Sequence, residues 1–311
     1  MEDKLSMPKV SVIIPACNEL FLPQTVNDLL SKSTIDTEVI VCLDNYWPEP
    51  ILPDNPKLTI IHLGERSGMR ASINAAASIA KGQYLLKIDA HCLFAEGYDE
   101  ILASNCADNW IVIPSRYSLD AENWCLEKNG KTRVDYHYLC YPFNKKDDIP
   151  GMHGVIWKER ARERLDIEFD DEMSFQGSCW FMSSKHFHNY LGRMSEEGYG
   201  TFSQEPQEIG LKTWLGGGEI KVNKKAYYAH LHKGKRYGRM YSTSQSAIRA
   251  GHQYAVDFWV GNKWDKKIYD LEWLIDKFWP VPGYPENWKD EFEKYRAGLA
   301  SGKYYYPNGN H

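Results

Sequence analysis

No stretch of this chain approaches the roughly 20 consecutive apolar residues that cross a bilayer, and the opening residues Met1 to Ser6 lack the apolar run of a secretory leader. The expectation is a soluble, unsecreted, cytoplasmic protein with no membrane span. Paired cysteine spacing is missing too. The seven cysteines, Cys17, Cys42, Cys92, Cys106, Cys125, Cys140 and Cys179, are odd in number and never stand as Cys-x-x-Cys, so neither a zinc knuckle nor a disulfide framework is expected. Several sit inside apolar strands, where a free thiol behaves as a small hydrophobe, and a reducing compartment fits them. No internal repeat is visible. No excess of positive charge is present: a formal net charge of −5 argues against a globally basic nucleic-acid binder while leaving room for a local basic groove.

What the chain does have is an alternation of apolar strands and helical patterns. Strands are expected at 10–15, 38–44, 58–62, 84–89 and 110–114, with helices at 22–30 and 68–80 between them. Such a series specifies an α/β fold with a doubly wound, mostly parallel central sheet, whose ligand crevice lies at the carboxyl ends of the strands. Pro15, Asp44, Arg66 and Asp89 all fall at or near that edge. Amphipathic patterns at 247–260, 268–278 and 288–300 give a helical C-terminal extension over 241–311, and its aromatic stripes are expected to pack a core. The segment 158–164 has the opposite charges at helical spacing of an exposed element.

The most informative motif closes the strand at 84–89. Asp89 and His91 stand two apart, so strand periodicity puts both on one face at the crevice, where together they can hold a metal. Upstream, Arg66 precedes Gly68 in a loop that opens into an alanine-rich helix, a setting in which backbone and guanidinium can both approach a ligand. This combination of Arg66, Gly68, Met69 and Asp89-Ala90-His91-Cys92 resembles the GT-A glycosyltransferases of the family 2 kind. Its motifs are most similar to the polypeptide N-acetylgalactosaminyltransferases, which carry Asp-x-His where most relatives carry Asp-x-Asp.

The resemblance continues through the glycine-centred segment 173–182, the helix 184–192 and the segment 199–218, and runs without a gap from Glu205 to His230. It implies a GT-A domain over 1–240, with a nucleotide-sugar-binding half at 1–120 and an acceptor and metal-completing half at 121–240. In that family the turn at Pro15 to Glu19 and the acid at Asp44 hold uridine, and Arg66 and Gly68 contact the nucleotide. Asp89, His91 and His230 then hold Mn2+ (or Mg2+), a donor set of one oxygen and two imidazoles that suits manganese better than calcium. Strand spacing alone does not separate His230 from His232, because both share one face. The family register selects His230, at the end of a strand pair expected at 219–223 and 226–229.

The basic loop 233–239 falls where the family closes a mobile loop over the diphosphate, which implies catalytic and binding roles for Lys233 and diphosphate contacts for Arg236 and Tyr237. Glu205 corresponds to a catalytic acid that acts as base in inverting relatives and holds the sugar in retaining ones, so stereochemistry stays open. Ser203-Gln204-Glu205-Pro206 replaces the family's Gly-Gly-Glu-Asn, and a stiffer backbone is expected there. The activity implied is metal-dependent transfer from a UDP-sugar to a hydroxyl acceptor: a glycan, small molecule, protein or modified DNA. Two alternatives stand beside it: transfer to hydroxymethyl-pyrimidine DNA, and a non-catalytic nucleotide-sugar-binding module.

Overall fold

Residues rich in valine, isoleucine and leucine form the centre of the molecule, and the helices lie over them. The computed structural model describes residues 9–128, 133–143, 151–238 and 244–302, so Met1 to Ser6 and Arg239 lie outside the described residues. The first half runs β1 (Val10–Ala16), α1 (Leu22–Lys32), β2 (Thr37–Asp44), β3 (Leu58–Leu63), α2 (Met69–Ile79), β4 (Tyr84–Ile88), β5 (Cys92–Phe94) and α3 (Tyr98–Ala103). There follow β6 (Trp110–Asp120), β7 (Cys125–Leu126), β8 (His137–Leu139), β9 (Gly154–Ile156), α4 (Lys158–Glu163), β10 (Phe169–Asp171) and β11 (Cys179–Ser183). A π-helix at His186–Leu191 leads to α5 (Glu205–Leu215), β12 (Glu219–His230), α6 (Gly234–Tyr237), α7 (Gln245–Trp259), α8 (Leu271–Phe278) and α9 (Trp288–Ser301).

The main sheet has the order β10-β12-β6-β11-β4-β1-β2-β3. Strands β4, β1, β2 and β3 are mutually parallel, β12 is parallel to β6, and β11 runs antiparallel between the two blocks. Because helices cover both faces, alternate residues of one strand enter different cores. Ile13 and Leu85 pack with Ile73 and Ala76 of α2 and with Trp214 of α5, whereas Val12, Ile14, Leu86 and Ile88 pack with Val26 of α1 and Leu102 of α3. Helices α7 to α9 join the first of these cores through Trp259, Phe278 and Phe292, with the Trp214 and Phe278 rings edge to face at 5.6 Å. Their aromatics are packing residues, each contributing on the order of 2–3 kcal/mol by burial.

Two strands differ from the sequence expectation, and both differences lengthen the path to the site. The strand expected at 110–114 continues to Asp120, and the pair expected at 219–223 and 226–229 is one strand, β12, with a register shift between Asn223 and Tyr227. Both segments of β12 pair with β6, so the extra residues are absorbed as an irregularity instead of a hairpin. The chain thereby reaches His230 beside Cys92 of β5. Helix α4 buries none of its residues, as its charge pattern implies. Among the described residues no helix is long and apolar enough to cross a membrane.

Candidate active site

A cleft of about 1000 Å³ opens at the carboxyl ends of β1, β2 and β4. Its lining includes Pro15, Glu19, Asp44, Arg66, Gly68, Asp89, His91, Glu205, His230 and Lys233, brought together from positions far apart in the chain. Arg236 and Tyr237 are the exceptions. They line an adjacent hollow of about 770 Å³, where Arg236 pairs with Glu122 and the Tyr237 ring meets Phe21 edge to face at 5.3 Å.

At the floor of the cleft three ligand-type side chains converge. The Nε2 atoms of His91 and His230 are 3.1 Å apart, and Asp89 Oδ2 lies 3.3 Å from His230 Nε2 and 4.0 Å from His91 Nε2. Neighbouring ligands of one octahedral ion with bonds of about 2.1 Å stand about 3 Å apart, so the three donor atoms fit a single small divalent cation. His91 Nδ1 is 3.0 Å from Glu19 Oε2; when it donates there, the lone pair of Nε2 is turned toward the other two ligands. Burial presses His230 toward the neutral form, lowering its pKa from 6.5 to about 4, which is the form that ligates a metal. Burial opposes the charge on Asp89, but Lys87 and the two imidazoles outweigh it and hold its carboxyl well below the ordinary value. His232 also lines the cleft, with its ring edge to face on His230 at 5.0 Å, but it stands outside the three-ligand group.

Around this centre Asp44, Gly68, Glu19 and Glu205 hold the loops of the cleft in place. Asp44 accepts from the backbone N–H groups of Ser67 (2.6 Å) and Gly68 (3.0 Å), and so ties the end of β2 to the loop that carries Arg66. Gly68 has φ of +87°, and a Cβ there would come within 2.5 Å of Thr201 Cβ, so the close approach needs glycine. Glu19 joins the two halves of the site, pairing with His91 and accepting from Lys233 Nζ at 2.7 Å. Burial works against its charge, yet His91 and Lys233 prevail and its pKa is lowered. Glu205, the first residue of α5, accepts from Trp180 Nε1 at 2.6 Å and pairs with Lys87 at 3.2 Å. Burial raises its pKa against the opposing pull of Lys87.

The backbone at Gln204 answers the expectation of stiffness. Gln204 adopts φ of +58°, the left-handed conformation that glycine enters without strain, and its Nε2 lies 3.1 Å from His252 Nδ1 on α7. A non-glycine residue therefore fills a glycine-type position, and α7 supplies a wall of the cleft through Gln245, Ile248 and His252. That contribution had no signal in the sequence. Lys87 was also missed, although a lysine inside a buried strand two residues before Asp89 must share its face and needs partners.

The sequence profile of the Glycosyl transferase family 2 matches residues 11–191. Among curated proteins, the chain is 24% identical over 321 residues to polypeptide N-acetylgalactosaminyltransferase 12 of Mus musculus, covering 91% of this chain and 54% of that protein. It is 23% identical to the putative polypeptide N-acetylgalactosaminyltransferase 9 of Drosophila melanogaster, covering 89% of this chain and 48% of that one. The chain thus spans about half the length of the curated relatives it matches. Among solved structures, that of GalNAc-T7 with UDP, GalNAc and Mn2+ superposes with a TM-score of 0.59 at 14% identity, covering 94% of this chain and 55% of that one, and shares the fold. With a profile match across more than half of its length on a GT-A sheet that carries this site, the chain belongs to glycosyl transferase family 2.

Proposed function

We propose that this chain is a metal-dependent glycosyltransferase that moves a sugar from a UDP-sugar to a hydroxyl acceptor. The observation that carries the reading is the convergence of Asp89, His91 and His230 at the floor of a cleft large enough for a nucleotide-sugar. The relative solved with UDP, GalNAc and Mn2+ supports it. A bound Mn2+ or Mg2+ supplies Lewis-acid stabilisation of the departing diphosphate. Pro15, Asp44 and Arg66 form the nucleoside end of the cleft, and Gly68 gives the backbone access to the ligand. Lys233, which lines the cleft and pairs with Glu19, acts as charge builds on the leaving oxygens, after exchanging Glu19 for phosphate. Arg236 and Tyr237 join it when the loop that carries them closes over the donor. Glu205, held by Trp180 and Lys87, offers fixed acceptor oxygens to a hydroxyl of the transferred sugar.

The test is UDP release from a panel of UDP-sugars, with and without Mn2+ and with glycan, small-molecule, protein or hydroxymethylated DNA acceptors. Release that depends on Mn2+, and is lost in Asp89→Ala and His91→Ala with the fold retained, is the expected result. Metal-independent release would contradict the reading, and UDP binding without turnover of any donor would make the chain a non-catalytic nucleotide-sugar module.

A further inference from the structure

The ion pair at the floor of the cleft is unusual in what it does to the three-ligand centre. Lys87 is fully buried, and its ammonium has three acceptors for three donors: Asp89 Oδ1 at 2.9 Å, Glu205 Oε2 at 3.2 Å and the carbonyl oxygen of Gly177. Trp180, the cross-strand neighbour of Lys87, donates its Nε1–H to the other oxygen of Glu205 at 2.6 Å. A Cβ at Gly177 would lie 2.9 Å from Glu205 Oε2, so glycine is what lets the three groups close on one another. Asp89 is the only carboxylate of the three-ligand group, and one of its oxygens is already committed to a cation.

We propose that Lys87 is a positioning residue that sets two properties of the site at once: it weakens the hold of the Asp89-His91-His230 centre on its divalent ion, and it fixes Glu205 at the cleft floor. Both follow from its place. A fixed positive charge on Asp89 Oδ1 repels a divalent cation at Oδ2, because like charges a few ångströms apart interact strongly beside a buried ammonium. The same ammonium neutralises Glu205, whose carboxylate would otherwise be buried beside Asp89 with only the indole as donor. Removal of the charge therefore moves the two properties in opposite directions. A side chain that served only to support the fold would weaken both or neither. The metal half of the inference rests on the three-ligand centre alone, whereas the Glu205 half rests on the transfer reaction proposed above.

The experiment compares the wild-type chain with Lys87→Met, Lys87→Arg and the double variant Lys87→Met/Glu205→Gln. Mn2+ binding is followed by the electron paramagnetic resonance of the free ion, folding by circular dichroism, and donor turnover at saturating metal. Lys87→Met is expected to bind Mn2+ about tenfold more tightly, because a like charge is gone. It should also lose about a hundredfold in kcat, with KM for the donor changed by no more than about threefold. Lys87→Arg keeps the charge and should keep the wild-type Mn2+ affinity. The double variant lacks the stranded carboxylate, so it should fold and bind Mn2+ more tightly than wild type even if the single variant is unstable. Equal or weaker Mn2+ binding in the folded Met variants overturns the proposal, as does undiminished kcat in Lys87→Met. Failure of both Met variants to fold also overturns it, because Lys87 is then a residue of the fold. If the wild-type chain turns over no UDP-sugar, the transfer reading fails and the Mn2+ comparison still decides the metal half.

Discussion

At the scale of single residues, His230 and His232 carry the clearest contrast. His230 ends β12 and His232 follows two residues later, yet it is His230 whose Nε2 stands beside His91 and Asp89. Asp89 and His91 were legible in the sequence because strand periodicity and a crevice position depend only on near neighbours. The partners of Lys87 were not legible, since Gly177 and Glu205 lie 90 and 118 residues further along the chain. Buried histidines also make a pH prediction at this scale. His186 is buried with Nε2 2.9 Å from Thr213 Oγ1, and burial lowers its pKa from 6.5 to about 4. Between those values the unfolded chain binds a proton that the folded chain refuses, so this contribution is intact above pH 6.5 and is lost as pH falls. Between pH 6.5 and 5 the loss is about 2 kcal/mol. Thermal stability should therefore fall less on acidification in His186→Gln than in wild type, and identical slopes would contradict the assignment.

At the scale of elements, the parts that reached their expected places are those whose pattern is local. The strands β1, β2 and β4 are apolar runs between turn residues, and α2 is an alanine-rich helix after a glycine. The segment that forms the far wall of the cleft is held by something the sequence does not announce. Arg70 on α2 is fully buried. It donates to Glu208 of α5, to Ser195 O (2.7 Å) and through Nε to Ser203 O (3.1 Å), with its guanidinium over the Tyr199 ring at 4.6 Å. This latch explains why Gly68 must approach Thr201 so closely, since Arg70 N also donates to Thr201 O at 3.2 Å. Breaking a buried ion pair by removing one partner costs about 3–5 kcal/mol. Urea unfolding of Arg70→Met should show a loss toward the lower end of that range, because Glu208 keeps Lys212 at 2.7 Å, and Arg70→Met/Glu208→Met should lose less because the buried oxygen that faced Arg70 is gone. A double variant as unstable as the single would mean that the backbone contacts, and not the ion pair, hold the wall.

At the scale of the whole molecule, the sheet order and the shared core of α7 to α9 turn scattered residues into one site. The order β4-β1-β2-β3 brings Asp89, Pro15 and Asp44 to a common edge, and the long strand β12 delivers His230 to it from the other half of the chain. His230 was singled out in the sequence by the resemblance that runs from Glu205; the cleft wall contributed by α7 was not, because its helical pattern records burial and not what lies beyond the buried face. In the proposed reaction, metal and nucleotide occupy adjoining positions in one cleft. If so, each must strengthen the other by the same factor. The direct measurement is calorimetric titration of UDP into the wild-type chain and into His230→Ala and His232→Ala, each with and without Mn2+, alongside GDP and CDP. UDP is expected to bind most tightly of the three, Mn2+ to tighten it in wild type and His232→Ala, and that gain to vanish in His230→Ala. A gain that survives in His230→Ala and disappears in His232→Ala, or tighter binding of GDP than of UDP, would contradict this arrangement.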